Sequence, residues 1–121
     1  MAVVRIHHRT RSGVGKDADP AYIEAIARYM RAAASPSAVY AYEQMNGAID
    51  TRPILSAIKA PTLVVGGTYD PLLQPATLRE AIVVPIAGAR LVLLDCGHEI
   101  PVEQPQMLAA LLEAFVAGLG I

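Results

Sequence analysis

The chain has 121 residues, of which 54% are hydrophobic and 17% charged, with a formal net charge of -1. This length suits one domain with one core, and the composition is too apolar for a disordered chain. The longest apolar run, Ala81 to Ala89, contains Pro85 and ends at Arg90, far short of the roughly 20 residues that span a bilayer, so no membrane segment is expected. A lone Cys96 excludes an internal disulfide and a cysteine-based metal cluster. Together with an N-terminus that lacks an apolar block of signal-peptide length, this sets a reducing cytoplasm as the expected compartment.

Charge is unevenly placed. Residues 1 to 16 hold Arg5, Arg9, Arg11 and Lys16 with no acid, and the rest of the chain holds six basic against eleven acidic residues. The basic stretch, residues 1–15, reads as a poorly ordered arm; without interleaved aromatics it releases too few counterions for tight nucleic-acid binding. His7 and His8 are adjacent, but two neighbouring histidines without a third ligand are ordinarily solvated.

A helical segment follows, over residues 16–49. Asp19 can cap a helix and Pro20 suits its first turn, while Tyr22, Ile23, Ile26, Ala27 and Met30 recur at helical spacing, predicting a helix over 20–34. Ser35-Pro36 repeats the device, with Val39, Tyr42 and Met45 on the next helix and Asn46-Gly47 as its stop. Asp50 to Ile58 reads as a short helix or turn ended by Pro61.

Beyond Pro61 the period changes. Thr62-Leu63-Val64-Val65, bounded by Gly66-Gly67, reads as a strand buried on both faces, and Leu91-Val92-Leu93-Leu94 reads as a second. Pro75 to Val84 between them has the length and spacing of a helix, so the unit is a parallel strand–helix–strand crossover. Pro105 opens a final helix whose Met107, Leu108, Leu111, Leu112, Phe115 and Val116 form an apolar face for packing on a sheet.

Parallel strands deliver their following loops to the same, carboxyl edge of the sheet, where open α/β folds place ligands. Asp70 lies in the first of these loops and His98 in the second. A carboxylate that fixes an imidazole tautomer, and an imidazole that takes a proton from a nucleophile, are two of the three parts of a nucleophilic hydrolase. On residue type alone, Asp70 also reads as a cap or turn-closing residue and His98 as structural.

The stretches IKAPTLVVGGTYDPLLQP and IAGARLVLLDCGHEIPVEQPQMLAALLEAFVAGL resemble the C-terminal part of α/β-hydrolase fold enzymes. In those enzymes a Gly-x-x-Asp turn after one strand is followed by a crossover, a second strand, Gly-His and Glu-x-Pro. Gly67 to Asp70, Gly97-His98 and Glu103-Gln104-Pro105 match in order and spacing. The resemblance covers about residues 50 to 119, and residues 50–121 are assigned to that C-terminal part. More weakly, RYMRAAASPSAVYAYEQMNGAID looks like the cap-side segment of hydrolase domains seen alone or fused to nucleotide cyclases. The resemblance implies a partial α/β-hydrolase fold, a short parallel sheet with flanking helices, with Asp70 as triad acid and His98 as triad base. It implies no cofactor and no metal.

The family's Gly-x-Ser-x-Gly nucleophile elbow is missing. Ser12 lacks the first glycine and a preceding strand, Ser35 and Ser37 flank a helix cap, and Ser56 precedes Pro61. Cys96 stands two residues before His98, but a strand-end thiol is ordinarily inert packing. Glu99 and Glu103 read as charges favourable to the start of the last helix, with substrate contact a lesser alternative. Gly66-Gly67 lacks the spacing of a phosphate loop, which argues against a nucleotide there. The chain thus reads as a hydrolase portion without its nucleophile half, inactive alone, with a small-molecule substrate if completed and with ester, lactone, amide and epoxide bonds all open. A non-catalytic binding partner or a gene relic is the rival. Two strands with open edges predict self-association or pairing with a hydrolase half.

Overall fold

The computed structural model describes residues 19–33 and 35–120. The basic arm, His7, His8 and Ser12 lie outside the described residues. Helix α1 (Pro20–Ala33) begins where Asp19 accepts the Ala21 N–H on Oδ1 at 2.8 Å, and it buries Ile23 and Ala27. Helix α2 (Pro36–Ala48) is capped by Ser35, whose Oγ accepts the Ala38 N–H at 3.2 Å. It buries no residue. A 3₁₀ turn over Arg52–Ala57 brings Leu55 inward.

Strand β1 (Leu63–Gly67) pairs in parallel with β2 (Arg90–Leu94), in a register running from Leu63 opposite Arg90 to Gly67 opposite Leu94. Gly66 and Gly67 therefore belong to the strand rather than bounding it. Between the strands, α3 (Pro75–Leu78) continues into wider, π-type turns over Arg79–Val83, where the Val84 N–H reaches back five residues to the Arg79 carbonyl at 2.9 Å. This segment lies against β1, β2 and the 3₁₀ turn; its Leu78 and, beyond it, Ile86 are buried, as are Leu55, Leu94 and Cys96. Gly88 holds φ at +77°, a left-handed turn open to glycine, and so steers the chain into β2.

After β2 come a short helix α4 (Ile100–Glu103), which the periodicity does not predict, and α5 (Pro105–Ala117). The expected apolar face of α5 is divided: Leu108, Leu111 and Phe115 are half-buried, whereas Met107, Leu112 and Val116 are exposed. Between α5 and β2 lies a groove of about 470 Å³ lined by Leu63, Leu91, Val92, Leu111, Ala114 and Phe115, with Arg90 at 5.4 Å over the Phe115 ring. Burial of the strands on both faces is not observed. Leu63 to Val65 are half-buried, and Leu93, which lies on the same face as Leu78 of the crossover, is 37% exposed. No helix among the described residues is long and apolar enough to cross a membrane.

Candidate active site

The two loops that leave the carboxyl ends of β1 and β2 are stitched together before either carries a functional group. Thr68 donates both its N–H and its Oγ1 hydroxyl to the Leu94 carbonyl, at 2.8 and 3.0 Å, and the Tyr69 N–H donates to the Cys96 carbonyl at 3.0 Å. Such close approach of two backbones requires Gly67. A Cβ there would overlap the Gly97 carbonyl oxygen and come within 2.6 Å of the Cys96 carbonyl oxygen, neither of which can swing aside as a side chain would.

Asp70 follows at once and is buried, 3% exposed. Its two carboxylate oxygens divide the work. Oδ1 accepts the N–H groups of Leu72 and Leu73, at 2.8 and 3.0 Å, closing the turn that leads into α3. Oδ2 lies 2.8 Å from Nδ1 of His98, 28 residues further on. Gln74 Nε2 donates to the Asp70 carbonyl at 2.9 Å and fixes the same turn from its far side. Turn closure and partnership with His98 are therefore not alternatives for Asp70; each occupies one oxygen.

His98 is reached through a second braced loop. Glu103 accepts the Gly97 N–H on both carboxylate oxygens, at 3.1 and 3.0 Å, and Gln104 Nε2 donates to the Asp95 carbonyl at 3.2 Å. The imidazole is part-exposed, while its carboxylate partner is buried beneath it. Glu103 is thus a bonded component of the His98 loop rather than a free charge at a helix start. The signal for it, Glu-x-Pro shortly after Gly-His, is visible in the sequence. Its partner is not, since the bond returns across α4. Glu99 is exposed and makes no capping bond through its side chain.

Burial pushes the Asp70 carboxyl up, but the bonds from His98, Leu73 and Leu72 and the attraction to His98 more than reverse this and leave its pKa below the ordinary value. An ionised carboxylate only accepts, so the proton of this hydrogen bond resides on Nδ1 and the other ring nitrogen, Nε2, is left to take a proton. Cys96 is driven the opposite way: burial, then the charges of Glu103, Asp95 and Asp70, raise its pKa and disfavour the thiolate. Ser35 and Ser37 are exposed at the start of α2, and Ser56 is exposed in the 3₁₀ turn, all away from a strand end. Among the described residues no three His, Cys, Asp or Glu side chains gather to hold a metal ion.

No protein-family model and no curated protein matches the chain. Solved structures do. An esterase from Exiguobacterium antarcticum superposes with a TM-score of 0.82 at 18% identity, over 96% of this chain and 43% of that one. A thermophilic esterase from Thermogutta terrifontis gives 0.76 at 22% identity, over 97% and 49%. An enol-lactonase from Burkholderia xenovorans LB400 gives 0.54 at 38% identity, over 58% and 26%. The chain thus spans less than half the length of each of these enzymes. With a short parallel sheet, flanking helices and this set of structural neighbours, the chain has a partial α/β-hydrolase fold.

Proposed function

We propose that this chain supplies the acid and the base of a serine-type hydrolase acting on ester-type bonds, with Asp70 as the acid and His98 as the base. The observation that carries the reading is the 2.8 Å bond between Asp70 Oδ2 and His98 Nδ1 at the carboxyl edge of two parallel strands. In this scheme a serine hydroxyl presented to Nε2 passes its proton to the imidazole as its oxygen attacks the substrate carbonyl. The imidazolium, held by the Asp70 carboxylate, returns the proton to the leaving alcohol. Water, deprotonated by the same nitrogen, then hydrolyses the acyl-enzyme.

None of the chain's four serines, Ser12, Ser35, Ser37 and Ser56, stands in Gly-x-Ser-x-Gly, so the reading assigns the nucleophile to a complementary segment. Pairing with that segment along the outer edge of β1 would cover the half-buried Leu63 to Val65. Residues 16–49 are assigned to the cap side of the substrate pocket, and the working compartment to the cytoplasm, which suits a lone buried thiol. The rival, a non-catalytic binding module, rests on the same lack of an elbow serine.

Incubating the chain with an activated ester and a fluorophosphonate probe tests the assignment: neither turnover nor labelling is expected, and stoichiometric labelling of Ser12, Ser35, Ser37 or Ser56 overturns it. Co-expression with a hydrolase segment that carries a Gly-x-Ser-x-Gly elbow is expected to yield ester hydrolysis that His98→Ala abolishes. A stable complex without hydrolysis favours the binding module.

A further inference from the structure

The bond between Asp70 and His98 depends on the height and twist at which the His98 loop leaves β2. Gly97, just before His98, is held through both of its peptide groups. Its carbonyl oxygen is pressed against the α-carbon of Gly67 at the end of β1, and its N–H is held by the two oxygens of Glu103. We propose that Glu103 is a positioning residue, whose carboxylate grips the Gly97 N–H and thereby holds the imidazole of His98 with Nδ1 on Asp70. The proposal deepens the hydrolase reading and rests on it for any consequence in catalysis, though not for the geometry.

Three observations carry it. The acceptor is a carboxylate that spends both oxygens on one backbone N–H immediately before His98, and charge-assisted bonds of this kind are the stronger ones. Glu103 is itself fixed, because its N–H donates to the Glu99 carbonyl at 3.0 Å and the neighbouring Gln104 ties α4 back to the Asp95 carbonyl. Finally, only the four-residue α4 and its entry separate Gly97 from Glu103, so the Glu103 bond closes the loop that carries His98. A glutamine at 103 has one acceptor oxygen in place of two, which makes it the conservative variant; alanine has none.

Proton–nitrogen NMR of the intact chain tests the proposal without any turnover assay, so its outcome is separate from whether the completed protein hydrolyses esters. In Glu103→Ala, exchange of the Gly97 amide is expected to accelerate about tenfold or more, and the downfield Nδ1–H resonance of His98 to disappear, while the amides of β1 and β2 stay protected. Glu103→Gln is expected to restore the Nδ1–H resonance with the Gly97 amide shifted upfield from its wild-type position. An unchanged Nδ1–H resonance in folded Glu103→Ala overturns the proposal. Should the alanine variant unfold, Glu103→Gln decides: an unshifted Gly97 amide refutes the grip, and an upfield shift with the His98 signal retained supports it.

Discussion

The described chain contains two regions built on different principles. From Leu63 to Gln104 the bonds reach across the fold: Thr68 to Leu94, Tyr69 to Cys96 and Asp70 to His98 join residues 26 to 28 positions apart. From Asp19 to Ala48 the bonds of Asp19, Arg31 and Ser35 stay within a helix or its cap, the widest in sequence joining Arg31 to Glu24 seven positions away. Among the described elements, α1 and α2 touch the others only sparsely, and Tyr29 and Tyr40 stand 70% and 65% exposed. One region is cross-braced around a site; in the other, α1 buries Ile23 and Ala27 while α2 buries no residue. Stability should therefore be unequal along the chain, with α2 opening at far lower cost than the sheet.

Adding one methyl group at a glycine separates the regions most sharply. In Gly67→Ala the new Cβ meets two backbone carbonyls, so β1 and the His98 loop must part. A loss of about 3 kcal/mol or more is expected in denaturant unfolding, along with loss of the His98 Nδ1–H resonance. A variant as stable as wild type would show that the braced loops tolerate displacement, and the contrast between the regions would fail.

Asp70→Asn comes next. Asparagine can still accept the Leu72 and Leu73 N–H groups, but an amide donor facing Nδ1–H opposes two donors and turns the ring to its other tautomer. The expected cost is about 1.5–3 kcal/mol, as for bonds to a charged group. The pH dependence has a definite sign. A carboxyl whose pKa is lower folded than unfolded adds stability at neutral pH, and this contribution is lost as pH falls from about 4, the unfolded value, through the depressed folded value. Wild type should lose stability on acidification more steeply than Asp70→Asn; parallel curves would break the link. Asp50, paired with Arg52 on the surface, also has a lowered pKa, about 2, yet it is solvent-screened and Asp50→Asn should leave the unfolding midpoint at neutral pH little changed.

The same division explains what the sequence discloses. The crossover is legible because Pro61, the glycines and the β-branched residues mark the short aliphatic runs as strands where periodicity alone is ambiguous, and the meeting of Asp70 with His98 follows from parallel strands. The Gly67–Gly97 approach and the Glu103 bond are not legible, since each depends on where a loop returns in space. Nor can the pattern of Leu91 to Leu94 show that Leu93 stays 37% exposed: apolarity records what a strand is suited to touch, not what is present to touch it. The helices α1 and α2 are legible as elements from Asp19, Ser35 and the periodic residues, because caps and periodicity are local signals.

Removing the α2 cap is a smaller perturbation. Ser35→Ala deprives Ala38 N–H of its acceptor and should cost the helix about 1 kcal/mol. Hydrogen exchange is expected to quicken at α2 amides alone, with β1 and β2 amides and the His98 Nδ1–H resonance unmoved. Equal quickening in the sheet would mean that α2 is coupled to the site after all.

The smallest effect has the opposite sign. Gly47 lies in the last turn of α2 with nothing within 4 Å of the position that a methyl group would take, and it is not among the glycines with positive φ. Alanine there meets no atom, loses less backbone freedom on folding and has the higher helix propensity. Gly47→Ala should therefore strengthen α2 by about 0.5–1 kcal/mol. Because α2 is only sparsely connected to the sheet, that gain should appear as slower amide exchange within α2 and leave the denaturant midpoint of the sheet unit where it was. If instead the whole chain becomes more stable by the same amount, α2 and the braced unit unfold together, and the two regions form one cooperative body despite their separate bonding.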